Sequence, residues 1–312
     1  MENKQVPHDR PPRVLLFPFP EQGHVKPFLN LAELLSLAGV HVTFLSTHFI
    51  HDRLLLHSNV QSHFETYTGF VFKAISDGLP DNHPRSGEKG KEDMNKLVNG
   101  VPGMEGILRF RDLPSFCRVS DVRHPILQGF ARAIRQCTQG QGLILNTFEE
   151  LEEPILSRLR THCPNIYPIG PMHTHLKLKL AKKEVASPSS NSIFETDKNC
   201  ITWLDSQPLK SVMYVSMGSV AVMTRDELLE FWYGLVNSKK RFCGLYGRIS
   251  IRKWKTRKEE LVNAADEMTK LAIKSVSEGG SSYCNFDSLI EYIYKMNEKP
   301  CMHAVGDHGM LN

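Results

Sequence analysis

The chain opens with short apolar runs set between helically spaced ones. Val14-Leu15-Leu16-Phe17 is continuous and apolar, the pattern of a strand buried on both faces. Pro18, Pro20 and Gly23 break it. Phe28, Leu31, Leu34, Leu35 and Ala38 then follow helical spacing, and Gly39 suits a helix C-cap. Val40 to Leu45 is β-branched and aromatic, the mark of the next strand. Strand, helix and strand in about thirty residues make a βαβ unit with a parallel sheet.

Farther on the spacing predicts a short helix over 51–56, a strand over 70–75 and a helix over 124–139. A strand over 142–146, a helix over 152–159 and a short strand over 166–169 come next. Pro154 fits that helix only in its first turn. Residues 76–96 carry turn formers and charge and predict a loop, and no further strand and helix of a doubly wound domain are visible before residue 120. From Gly170 to Asn199 mixed Ser, Pro and Lys predict a solvated connector. A second unit lies beyond it: a short helix at 201–204, a strand over 212–217, a turn at Gly218-Ser219, and a helix from Arg225 entered through a Thr224-x-x-Glu227 capping box. The strand expected after Arg241 is poorly patterned, and helices are predicted over 259–276 and 286–294.

Composition narrows the reading. The 312 residues suffice for one large domain or two modest ones, and 41% hydrophobic content is ordinary for a globular chain. A net charge of +4 over this length does not point to nucleic acid. Seven scattered cysteines form no C-x-x-C pair, which argues against a zinc cluster or disulfide framework and for reduced thiols in a cytoplasmic protein. The polar first residues show no apolar signal core, and no apolar run is long enough to span a membrane.

Candidate chemistry gathers at Pro20-Glu21-Gln22-Gly23-His24, between the first strand and the first helix. In doubly wound sheets ligands bind at the carboxyl ends of strands, and a helix N-terminus offers free N–H groups to phosphate. Gly23 permits close backbone approach, and His24 is the residue of this turn able to act as a general base near neutral pH; a capping or surface histidine is the other reading.

The segment 17–47, beginning FPFPEQGHVKPF, resembles the amino terminus of plant family 1 UDP-glycosyltransferases. Residues 100–116, 143–156, 167–172, 203–238 and 274–293 resemble further blocks of that family, in family order and over about three-quarters of the chain. The flavour is that of the iridoid glucosyltransferase branch. The resemblance implies an α/β fold of GT-B type, two Rossmann-like domains facing across a cleft. Residues 1–172 would be the acceptor side, 173–199 the linker and 200–312 a remnant of the UDP-sugar side. It further implies inverting transfer from UDP-glucose to a small lipophilic acceptor, without metal or other cofactor. His24 would be the base, and Gln22, Gly23, Gly218 and Ser219 would face the UDP-sugar.

The chain departs from the family pattern in two places. No Trp-x-Pro-Gln box, His-Cys-Gly-Trp-Asn-Ser block or terminal Asp/Glu-Gln pair occurs after residue 200, which leaves a gap near 243–254. A central strand and the acid that orients the catalytic histidine are missing near residue 90, and Asp77, Asp81 and Asp93 do not match that acid. Both domains are therefore expected to be incomplete, catalysis impaired, and exposed sheet edges prone to self-association. A truncated non-catalytic form is the alternative.

Overall fold

Pro11-Pro12 leads into strand β1 (Arg13–Leu16), and helix α1 (Gln22–Leu37) begins after a short turn. The computed structural model describes residues 10–80, most of 121–182, 199–209, 211–216, 225–238, 241–245 and 258–298, with isolated positions between them. Helix α1 starts six residues earlier than its apolar spacing suggests and carries Pro27 inside it. It ends where Gly39 adopts φ +83°, and Val40 N–H then donates to Leu35 carbonyl at 3.0 Å. Only a residue without Cβ enters that left-handed turn without strain.

Strand β2 (His41–Thr47), helices α2 (His48–His57) and α3 (Val60–Phe64), and strand β3 (Val71–Ile75) complete the first unit. The three strands are parallel in the order β1-β2-β3, with Leu15 beside Thr43 and Thr43 beside Val71. Thr47 caps α2, its Oγ1 accepting the Ile50 N–H at 3.4 Å. The period of two puts Leu16, Val42 and Phe44 on the buried face. Leu15, Val71 and Ile75 lie on the other face, 61%, 47% and 42% exposed, where parallel sheets ordinarily carry a second helix layer.

Helix α4 (Pro125–Cys137) precedes a parallel pair, β4 (Leu143–Leu145) and β5 (Ile166–Pro168), joined by α5 (Glu149–Arg160). Glu152 (φ −130°, ψ 25°) kinks α5, so Pro154 falls in the first turn of the helical segment beyond the kink, where a missing N–H costs nothing. The start of the segment expected to be a solvated connector is instead helix α6 (Met172–Lys182). Met172, His175, Leu176 and Leu180 are its buried side. Helix α7 (Asn199–Asp205), β6 (Val212–Ser216), α8 (Arg225–Asn237) and β7 (Arg241–Leu245) form a second strand–helix–strand unit with β6 and β7 parallel. Thus the weakly patterned stretch after Arg241 is a strand, made so by pairing rather than by its own alternation.

The last two helices return to the amino-terminal part. Helices α9 (Lys258–Val276) and α10 (Ser281–Glu298) are joined by a turn in which Gly279 takes φ +78°. Phe286 and Leu289 of α10 enter the same core as Leu29, Leu34, Val42 and Phe44. Polar side chains of α10 reach backbone carbonyls outside their own helix: Ser282 Oγ donates to Gly170 at 2.5 Å, Asn285 Nδ2 to Pro168 at 3.1 Å and Tyr294 Oη to Ala38 at 3.3 Å.

Among the described residues two titratable side chains, Glu33 and His175, are buried in this core. Glu33 of α1, 2% exposed, accepts hydrogen bonds from Tyr67 Oη at 2.8 Å and from His63 Nε2 at 2.7 Å, tying α3 to α1. Burial, reinforced by the bond to Glu33, holds the Tyr67 hydroxyl protonated well beyond its ordinary range. His175 is fully buried, with Nδ1 3.4 Å from the Ile169 carbonyl and Nε2 unpartnered among the described residues. Its ring stacks on Tyr283 and meets the Phe286 ring edge-on. Burial lowers its pKa to about 4, with Lys179 adding to the effect and the Ile169 carbonyl opposing it.

Two measurements check this core. Phe286→Ala removes a fully buried ring and should cost about 3–5 kcal/mol in urea unfolding. His175 binds its proton more weakly folded than unfolded, so the folded state loses ground in acid. Stability should be full above about pH 6.5 and fall towards pH 4, by up to roughly 3 kcal/mol. His175→Phe should flatten that part of the melting-temperature profile.

Candidate active site at the first helix turn

The residues after β1 determine where the candidate site lies. Gln22, Gly23 and His24 are the first three residues of α1, so His24 sits within the first helical turn rather than in a loop. Glu21 is the N-cap in extended conformation, and its carbonyl accepts the His24 and Val25 N–H groups, each at 2.9 Å. Its side chain makes no capping hydrogen bond. The first turn of a helix leaves backbone N–H groups outside its own ladder, and the dipole there favours negative charge.

Val25 is completely buried while Gly23 and His24 are exposed, so the turn is anchored on one side and open on the other. The His24 ring meets Phe19 edge-on, with centroids 5.4 Å apart. Phe17 and Phe19 are 51% and 56% exposed, which gives this end of the sheet an apolar rim. Burial raises the Glu21 carboxyl above its ordinary pKa, and the charge of His24 works against that rise. A Cβ at Gly23 would meet nothing within 4 Å, so packing does not require glycine here.

Gly218, Ser219 and the capping residue Thr224 lie outside the described residues, as do Asp81 and Asp93. What is described there is the frame: β6 ends at Ser216, and α8 begins at Arg225. The structure therefore brings Gln22, Gly23 and His24 together and leaves their relation to Gly218 and Ser219 undescribed. Among the described residues no group of three or more His, Cys, Asp and Glu side chains is arranged to hold a metal ion. No described helix is long and apolar enough to cross a membrane.

Two clefts lie elsewhere. One of about 480 Å³ is lined by His51, Phe64, Phe70 and Phe72 among others. Another of about 410 Å³ lies among Leu37, Leu178, Lys179, Val276 and Tyr283. Neither is lined by the His24 turn.

No protein-family model matches the chain. It is 33% identical to the 7-deoxyloganetic acid glucosyl transferase of Catharanthus roseus over 469 aligned positions, which cover 91% of this chain and 97% of that protein. The chain belongs to the plant UDP-glycosyltransferases. Members of this family are transferases of plant secondary metabolism. Among solved structures, Os79 from O. sativa in complex with UDP matches with TM-score 0.69 and 16% identity over 89% of this chain and 99% of that one. Glycyrrhiza uralensis UGT73P12, complexed with glycyrrhetinic acid 3-O-monoglucuronide, matches with TM-score 0.62 and 13% identity, covering 92% and 97%. The fold of this UDP-glycosyltransferase chain is accordingly α/β of GT-B type, as the motif blocks imply.

Gly23→Ala provides a separate check on this turn. With open space around the position, the substitution should leave thermal stability unchanged or raise it by up to about 1 kcal/mol. If the turn faces a ligand, UDP affinity measured by calorimetry falls while the melt does not.

Proposed function

We propose that this chain carries the chemistry of a UDP-glucose-dependent glucosyltransferase for small lipophilic acceptors of iridoid type, and that this form is impaired. The observation that carries the first half is His24: exposed, in the first turn of α1 at the carboxyl end of β1, beside an apolar rim. In the reaction the imidazole takes the proton of an acceptor hydroxyl or carboxyl. The freed oxygen attacks the anomeric carbon, the bond from that carbon to the UDP oxygen breaks, and configuration inverts. Charge developing on the departing diphosphate is met by backbone amides such as those of Gln22 and Gly23 at the start of α1, with Gly218 and Ser219 as the further diphosphate contacts that the family resemblance implies. No metal or further cofactor enters this scheme.

The second half rests on two supports. The alignment to the Catharanthus roseus relative runs over 469 positions while this chain has 312 residues, so the relative carries internal residues that have no counterpart here. The missing stretches include the donor box that the family motifs lead one to expect after residue 200. In this reading residues 1–172 are the acceptor side, 173–199 join the units and 200–312 are what is left of the donor side, with α10 docked back on the amino-terminal core. The protein is cytoplasmic, and the uncovered face and edges of the β1-β2-β3 sheet drive self-association.

Incubation with UDP-[14C]glucose and a panel of iridoid acceptors tests the whole. Label transfer well below that of a full-length relative, abolished in His24→Ala, is the expected result. Transfer undiminished in His24→Ala removes the base assignment, and full-length rates remove the impairment. Calorimetric titration with UDP should show binding weaker than that of a full-length relative.

A further inference from the structure

We propose that helix α4 (Pro125–Cys137) is a docking surface for an anionic membrane, resting on the lipid interface rather than crossing it. The inference is independent of the His24 assignment. Along α4 Leu127, Phe130, Ile134 and Cys137 recur at intervals of three and four residues, which puts them on one helix face. Arg132 and Arg135 fall on the remaining side. None of the described side chains of α4 is buried. Ile134 is 61% and Phe130 37% exposed, with Ala133 and Cys137 exposed beside them. Other long helices sink an apolar side into the protein, α1 through Leu34, α6 through Leu176 and α10 through Phe286. Helix α4 has a built entry all the same: Asp121 Oδ1 accepts the Arg123 N–H and the Asp121 carbonyl accepts the His124 N–H, each at 2.9 Å. A surface already ordered avoids the cost of ordering on binding.

Charge selects the occupant. From Val122 to Phe148 the chain has no Asp or Glu, yet it has Arg123, Arg132 and Arg135. Asp121 pairs with Arg123 at 3.2 Å, and the segment as a whole stays cationic. An apolar stripe backed by arginine suits a surface whose acyl chains take the one and whose acidic headgroups take the other. The bare face of the β1-β2-β3 sheet is a poorer partner, in this molecule or in a second copy. Its exposed positions carry Arg13 with Leu15, and Lys73 between Val71 and Ile75, so cations would meet cations. At 1.5 Å per residue α4 is about 20 Å long, short of the roughly 30 Å hydrocarbon thickness, so it lies along the interface.

Vesicle flotation of the full chain is the test. The native protein should float with phosphatidylcholine vesicles carrying about 30% phosphatidylserine and stay behind with phosphatidylcholine alone. Raising NaCl from about 0.05 to 0.5 M should release it. Arg132→Gln combined with Arg135→Gln should weaken partition about thirtyfold, and Ile134→Ala at least about tenfold. Because Ile134 is exposed, Ile134→Ala should leave the melting temperature where it was, so a loss of flotation is not a loss of fold. Failure to float with the acidic vesicles overturns the proposal. Flotation undiminished in either variant also overturns it, since the contact then lies elsewhere in the chain. So does a dimer that Ile134→Ala abolishes in the absence of flotation, which makes a second copy the occupant.

Discussion

Everything in the amino-terminal part depends on burying α1. Leu29, Leu31, Ala32, Leu34 and Leu35 are all nearly inaccessible, so this helix is enclosed rather than laid on a surface. The sheet supplies one wall, through Leu16, Val42 and Phe44, while α6 and α10 supply others through Leu176, Leu180, Phe286 and Leu289. Each fully buried leucine contributes about 1.5–3 kcal/mol relative to exposure. Enclosure also fixes the helix axis, and with it the position of the first turn. His24 owes its placement to apolar contacts made one and more turns away.

The same enclosure explains the two buried polar features. A carboxylate in such a helix needs hydrogen-bond donors, and Tyr67 and His63 both donate to Glu33 Oε1, at 2.8 and 2.7 Å. His175 is accommodated differently, as a neutral ring between aromatic faces, with its ordinary charge removed by burial. Both groups knit segments distant in sequence, so acid should loosen the packing between α6 and α10.

The opposite face of the sheet is where the fold is thin. Leu15, Val71 and Ile75 are exposed on a parallel sheet whose other face buries Leu16, Val42 and Phe44. A parallel sheet with one bare face gives up the burial that ordinarily offsets the ordering of its strands.

Local pattern determined the βαβ opening, the Gly39 stop and the candidate turn, because each depends on neighbours within a few residues. It also placed α4, α8 and α9 within a few residues of their ends. It failed at α6, where leucines at 176, 178 and 180 alternate with lysines and obscure a helical period that burial of Met172, His175, Leu176 and Leu180 makes plain. It failed at β7, whose five residues become a strand only beside β6. Only the tertiary structure decided that α10 belongs to the amino-terminal core. The reason is distance: that outcome depends on contacts between residues more than a hundred positions apart, which are not written in local spacing.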